Sequence, residues 1–253
     1  MTPRTLTLAL TAALMLPHQP VFAQTENEAT APVPRDDEWW TERHAEKLAE
    51  RDDALSEGRR VRLVFVGDSI THGWENAGKS LWEERFAPRG AMNIGFSGDR
   101  TEHVLWRLGM GEGGEKDNEV SRLSPDLFVV MIGTNNTGHR QAPPEETAEG
   151  VELIVDRLLE TSPYGKVLLL AVFPRDAKAD GELRQINDGV NALISGLDSR
   201  SRVEYLDIND VFLGADGELP EKVMPDLLHP NEAGYLLWAD AIEPHIARLL
   251  GEK

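Results

Sequence analysis

Residues 61–74 read VRLVFVGDSITHGW. The run VRLVFV has the β-branched and aromatic content of a strand buried on both faces. It stops abruptly at Gly67-Asp68, and a serine follows. That ending has two readings. In the plainer one a strand simply turns into a helix, with a small polar residue as the cap. In the other, Ser69 is a nucleophile presented at the edge of a sheet.

Working outward, the same kind of apolar run recurs at 91–94 (AMNI), 127–132 (LFVVMI), 167–173 (VLLLAVF) and 203–206 (VEYL). Helix-like stretches lie between them, near 78–87, 100–109, 145–161, 182–198 and 231–250. Short buried runs alternating with amphipathic helices predict an α/β fold, a parallel sheet covered on both faces. Asp37 to about Glu57 reads as a further, highly charged helix, with Trp39, Trp40 and Leu48 as its buried residues. No internal repeat and no second domain is visible, and 36–253 reads as a single domain.

In open parallel sheets, ligands bind at the carboxyl ends of the strands, where strand order reverses. The residues following the strands are therefore informative. They are Gly67-Asp68-Ser69, then Gly95-Phe96-Ser97-Gly98-Asp99, then Gly133-Thr134-Asn135-Asn136. Pro225-Asp226-Leu227-Leu228-His229-Pro230 comes before the closing helix. Polar and glycine-rich segments thus gather at one rim.

Composition sets the class. The 253 residues are 40% hydrophobic and 28% charged, with a formal net charge of -18. That balance argues against nucleic acid and against docking on anionic lipid, since both demand a basic surface. There is no cysteine, which removes disulfides, thiolate metal sites and cysteine nucleophiles together. The opening MTPRTLTLALTAALMLPHQPVFAQ carries Arg4, an apolar core from Leu6 to Leu16 and Val21-Phe22-Ala23. It reads as a signal peptide over 1–23, too short to span a bilayer, and predicts export to the periplasm or beyond after cleavage following Ala23. Residues 24–35, QTENEATAPVPR, read as a flexible linker.

A serine hydroxyl attacks at neutral pH only when a base takes its proton. The base is usually histidine, and a carboxylate fixes its tautomer. Asp226 and His229 are three residues apart just before a helix, which lets the carboxylate reach one ring nitrogen while the other points away. His72 and His103 are rival bases. His72 is three residues beyond Ser69 with an awkward path back to it, and His103 follows Asp99 at i,i+4. Three donors are candidates for an oxyanion hole: the Ser69 N–H at a helix start, the Gly98 N–H and the Asn135 side-chain amide. Taken singly each block has an ordinary reading as a turn, a cap or a loop.

Taken together, Gly67-Asp68-Ser69, Gly98, Gly133-Thr134-Asn135 and Asp226-Leu-Leu-His229 resemble the four blocks of the SGNH, or GDSL-type, serine hydrolases. The segments Asn93–Asp99, His103–Leu108, Ile132–Asn136, Phe173-Pro174-Arg175 and Leu228-His229 with Gly234-Tyr235 are similar to the platelet-activating-factor acetylhydrolase-like branch. The likeness runs from about Trp39 onward. It implies a flavodoxin-like three-layer sandwich around about five parallel strands. It also implies Ser69 as nucleophile, His229 as base and Asp226 as its orienter, with Ser69, Gly98 and Asn135 as the oxyanion hole. Ser97 departs from the pattern, because many relatives carry glycine there. The expected reaction is hydrolysis of a short-chain acyl ester, acetyl first, needing no metal or organic cofactor. Acetylated carbohydrate is the first expectation for the substrate, a lipid acetylhydrolase or lysophospholipase the second. A non-catalytic carbohydrate-binding scaffold is a third reading. The sequence assigns no oligomeric state.

Overall fold

The computed structural model describes residues 27–112 and 118–252. The expected leader lies outside the described residues. All five apolar runs become strands: β1 (Leu63–Gly67), β2 (Ala91–Gly95), β3 (Leu127–Met131), β4 (Lys166–Leu170) and β5 (Val203–Leu206). They form one wholly parallel sheet in the order β2-β1-β3-β4-β5. The helices are α1 (Glu38–Ser56), α2 (Ser69–His72), α3 (Lys79–Leu81), α4 (Thr101–Arg107), α5 (Thr134–Arg140), α6 (Pro144–Thr161), α7 (Glu182–Ile194) and α8 (Glu232–Leu250). The expected α/β sandwich is the one observed.

Side chains alternate across the strands, so each strand feeds two cores. Val64, Val66, Phe128, Val130, Val167 and Leu169 pack with Val104 and Leu105 of α4, Ile154 of α6 and Val190 of α7. Leu63, Phe65, Val129, Met131, Leu168 and Leu170 pack on the other face with Trp74 and with Trp238 and Ile242 of α8. Each such side chain, fully buried, contributes about 1.5–3 kcal/mol of transfer free energy. Burial on both faces is why the strands read as continuous apolar runs.

Several elements differ from the sequence expectations, each for a local reason. The run 167–173 pairs only as far as Leu170, although Ala171 still donates to the Leu206 carbonyl. At Val172 the Asn191 side chain stands in for a neighbouring strand: its Oδ1 accepts from the Val172 N–H at 2.7 Å and its Nδ2 donates to the Val172 carbonyl at 2.9 Å. The stretch 78–87 is not one helix. It breaks into α3, a π turn (Trp82–Phe86) and a 3-10 turn (Ala87–Arg89) that contains Pro88, which has no N–H to continue a helix. In α1 the buried stripe is Trp40, Arg43, Lys47, Arg51 and Ala54. Trp39 is exposed and Leu48 only half-buried. The charged members are buried because they are paired. Arg43 forms a two-pronged bond to Glu75 at 2.8 and 2.9 Å, Lys47 reaches Glu50 and Glu75, and Arg51 donates to the Asn118 carbonyl.

Residues 27–35, expected as a flexible linker, are laid against the domain. Glu28–Thr30 form a 3-10 turn capped by Asn27. Asn27 Nδ2 donates to the Glu146 carbonyl, Ala29 is fully buried, and its carbonyl accepts from Thr101 Oγ1 at 2.8 Å. Val33 N–H donates to the Glu102 carbonyl and Arg35 Nη1 to the Ser97 carbonyl. Polar, proline-containing sequence has no hydrophobic periodicity, but here its bonds are met by α4, α6 and the loop after β2. The segment is a strap that crosses the domain and arrives at the rim of the sheet.

Candidate active site

Strand order reverses about β1, whose neighbours are β2 and β3, and the segments following all three contribute to one site. β1 ends on Gly67, where a side chain has no room: an added Cβ would lie 2.2 Å from Thr71 Oγ1 and 2.3 Å from the Met131 carbonyl. The chain then turns directly into α2. Asp68 caps it, its Oδ1 accepting from the Ile70 N–H at 3.0 Å, so Ser69 is the first helical residue. α2 is pinned from behind by α8, where Tyr235 Oη donates to the Ile70 carbonyl at 2.6 Å.

Ser69 Oγ lies 2.9 Å from His229 Nε2, and His229 Nδ1 lies 2.6 Å from Asp226 Oδ2. A carboxylate only accepts, so Nδ1 carries the proton and Nε2 is bare toward the serine hydroxyl. Asp226 Oδ1 accepts from the backbone N–H groups of Leu228 at 3.1 Å and His229 at 2.7 Å. This tight loop requires Leu227 at φ 58, the left-handed region. Burial pushes the Asp226 carboxyl up, but its bonds from the His229 ring and from the two backbone N–H groups outweigh that and hold it below the usual carboxylate range. It therefore stays ionised beside the imidazole.

The loop after β2 runs beside the end of β1, where the Phe96 N–H donates to the Gly67 carbonyl at 3.1 Å. Gly98 takes φ +78, and an added Cβ would lie 2.9 Å from Arg35 Nη1. Its neighbours are held on both sides. The Ser97 carbonyl accepts from Arg35 Nη1 at 2.8 Å, and Ser97 Oγ lies 2.9 Å from His72 Nδ1. Asp99 is fully buried, accepting from Trp40 Nε1 at 2.8 Å and Arg107 Nε at 2.9 Å. After β3, Asn135 Nδ2 donates to the Asp99 carbonyl at 2.9 Å, leaving the second N–H of the amide without a protein acceptor among the described residues. Asn136 staples α5 to α4, its Oδ1 accepting from the Thr101 N–H at 3.0 Å. The sequence 134–136 reads as loop, yet it opens α5. Gly133 at φ 132 makes the turn into it.

The structure thus gathers Ser69, His229 and Asp226 into one hydrogen-bonded chain, with Gly98 and Asn135 joined through Asp99. The rival histidines have other occupations. His72 is engaged with Ser97. His103 Nδ1 accepts from the Arg100 N–H at 3.0 Å. Burial, followed by the Arg100 charge, lowers the His103 imidazole to about 3, so it is neutral at physiological pH. Sequence reasoning missed Arg35, Trp40 and Tyr235 as supports of the site. No local pattern marks them, because each acts across a long chain separation.

Asp68 shows a cost of this construction. It is fully buried, and its Oδ2 has no hydrogen-bond partner among the described residues. Burial pushes its carboxyl up to about 7, against the downward pull of the Ile70 N–H. A carboxyl that binds its proton more tightly folded than unfolded contributes stability below about pH 4, and that contribution is lost as pH rises toward about 7. The charge then costs the fold at most about 4 kcal/mol. Asp68→Asn keeps the Oδ1 acceptor and the cap. We expect it to melt above the wild type at pH 8 and level with it at pH 4, as thermal melts at the two pH values would show.

A profile of the GDSL-like lipase/acylhydrolase family matches residues 65–237. The chain belongs to that family. The acylhydrolase is 33% identical over 232 residues to platelet-activating factor acetylhydrolase IB subunit alpha1 of Homo sapiens, covering 90% of this chain and 93% of that one. Among solved structures it superimposes on a GDSL-like lipase from Bacteroides thetaiotaomicron with a TM-score of 0.58 at 21% identity, covering 79% of this chain and 98% of that one. It also matches Axe2, an acetylxylan esterase from Geobacillus stearothermophilus, with a TM-score of 0.56 at 19% identity, covering 76% and 94%. The acylhydrolase is an enzyme of carboxylic ester bonds. Among the described residues, none of its helices is long and apolar enough to cross a membrane.

Proposed function

We propose that this acylhydrolase is an exported serine esterase that removes short acyl groups, acetyl first, from oxygen esters of carbohydrate. The observation that carries the mechanism is the unbroken chain from Ser69 Oγ through His229 to Asp226, with contacts of 2.9 and 2.6 Å. Ser69 attacks the ester carbonyl while His229 Nε2 takes its proton. The developing oxyanion is held by the N–H groups of Ser69 and Gly98 and by the Asn135 amide. His229 then gives the proton to the leaving alcohol, and the same base activates water against the acyl-enzyme. Asp226 stabilises the imidazolium throughout.

Each oxyanion donor supplies about 3–4 kcal/mol in the transition state. Asn135→Ala is therefore expected to lower kcat on p-nitrophenyl acetate about 10²- to 10³-fold with KM near that of the wild type. A parallel melting curve separates this from loss of the bond to the Asp99 carbonyl.

Export is supported by the leader-like stretch at 1–23, and an intact mass of the protein from the periplasm or medium, starting at Gln24, would test it. The acetyl and carbohydrate assignments draw on the likeness to an acetylxylan esterase fold and on the acidic surface of a protein with net charge -18. A second reading, a lipid acetylhydrolase, draws on the 33% identity to a platelet-activating factor acetylhydrolase subunit. Hydrolysis of p-nitrophenyl esters from acetate to octanoate decides between them. Acetate fastest, with turnover of acetylated xylo-oligosaccharides, supports the first. A preference for long chains or for an acetylated phosphocholine lipid replaces it with the second. An enzyme inert on every ester would leave only a non-catalytic carbohydrate-binding scaffold.

A further inference from the structure

Next to Gly98 lies a cavity of about 450 Å³ that the mechanism does not use. Its walls include Arg35, Asp36, Asp37, Arg100, His103 and His139. Arg35 ends the strap, Asp36 and Asp37 lead from it into α1, and the others belong to α4, its entry and α5. Gly98 is common to this cavity and to the oxyanion loop. The cavity therefore borders the proposed oxyanion loop.

An ester extends from its carbonyl in two directions. An acetyl arm is a single methyl group and needs no cavity of this size. The space suits the alcohol arm, and its chemistry says which alcohol. Two guanidinium groups face two carboxylates, so the lining has no net formal charge in a chain whose total is -18. Burial lowers both imidazoles, His103 to about 3, and adds no positive charge at neutral pH. A wall that mixes N–H donors with carboxylate acceptors matches hydroxyl groups, each of which donates and accepts. Among the described residues Pro34 is its apolar lining residue, and no Leu, Ile, Val, Met or Phe side chain lines it to receive an alkyl chain.

The hydrogen-bonding capacity of the wall is also only partly spent. Arg35 is held by Asp37 at 2.7 Å and by the Ser97 carbonyl, and Arg100 is held by Glu102 at 2.5 Å. The side chains of Asp36 and His139, by contrast, make no hydrogen bond or ion pair with the described residues. Beyond Arg35 stands Trp39, 38% exposed, with the guanidinium 5.2 Å from its ring centroid. An indole at that position offers a face to the C–H side of a sugar ring.

We propose that this cavity is the alcohol subsite of the enzyme and takes a neutral, polyhydroxylated sugar residue, with Asp36 and His139 as its specificity-determining contacts and Trp39 as a platform beyond it. The proposal rests on the carbohydrate reading above and assigns it a place. The strap is then a binding wall, and the residues that select the alcohol lie outside the catalytic blocks.

The test compares partially acetylated xylo-oligosaccharides with p-nitrophenyl acetate, whose alcohol is an aromatic ring without neighbouring hydroxyl groups. The variants are Asp36→Asn, His139→Gln, the pair together, and Trp39→Ala. The expected result is a fall of at least about tenfold in the ratio of kcat/KM for the oligosaccharide to that for p-nitrophenyl acetate, arising in KM. The two near-isosteric variants guard against a merely structural effect, which lowers both substrates equally. If the wild type cleaves the oligosaccharide and every variant keeps its ratio, the subsite is wrong while the carbohydrate reading stands. If the wild type cleaves p-nitrophenyl acetate but no acetylated sugar, both fall. If the ratio moves only for an acetylated phosphocholine lipid, the cavity holds a zwitterionic head group and the proposal is overturned.

Discussion

Ser69→Ala is expected to lower kcat on p-nitrophenyl acetate by about 10⁴-fold or more, to a rate set by binding and the oxyanion donors alone. The substitution removes one oxygen from the first residue of α2. It leaves the Asp68 cap, the packing of Gly67 and the Tyr235 bond to the Ile70 carbonyl in place. Ser69 is partly exposed, so water can replace the lost hydroxyl beside His229, and the melting temperature should change little. KM should hold, because the hydroxyl contributes to attack rather than to affinity. A phosphonate ester, which mimics the tetrahedral intermediate covalently, should add its mass once to the wild type and not at all to the variant. Residual activity within tenfold of the wild type would place the nucleophile elsewhere.

The second largest effect is expected at Asp226. Asp226→Asn keeps size and shape, and its amide oxygen can still accept from the backbone of Leu228 and His229. The amide nitrogen then faces His229 Nδ1, where Oδ2 now accepts at 2.6 Å. Two donors cannot share that contact, so the imidazole moves its proton to Nε2 and aims it at Ser69 Oγ. In that tautomer it cannot act as a base. The expected loss is about 10³- to 10⁴-fold in kcat, with unaltered folding. Asp226→Ala should be less damaging per atom removed, because water can then accept from Nδ1 at this exposed position. That ordering, Asn worse than or equal to Ala, is a signature of tautomer control. A structural role gives the opposite order.

Much of this was legible in the sequence, because strands buried on both faces must be apolar throughout and the segments at their carboxyl ends are short. The five runs and the blocks around Ser69, Gly98, Asn135 and His229 follow from that. What was not legible depends on partners distant in the chain. Arg43 and Lys47 occupy a buried stripe of α1 only because Glu75 is there to pair them, and hydrophobic periodicity cannot register a buried ion pair. Trp39 and Trp40 are equivalent to any apolar scale. Trp40 is the buried one because its indole N–H meets Asp99, adding a second donor to the buried carboxylate that Arg107 pairs. The strap was read as linker because prolines and polar residues look alike whether their bonds go to water or to protein. Leu170 as the end of β4 was likewise invisible, since the Asn191 amide that replaces the next strand lies on α7.

Ser69 and His229 are 160 residues apart in the chain. A ribosome delivers the serine early and the imidazole late, so a growing chain carries a harmless hydroxyl for most of its synthesis. In the proposed mechanism reactivity waits on closure of that span, and the Tyr235 bond from α8 to the Ile70 carbonyl helps hold the closed arrangement. Completion of the fold and competence to cleave are then one event. Under that mechanism a polypeptide stalled before residue 229 would carry the Ser69 hydroxyl without the base that activates it.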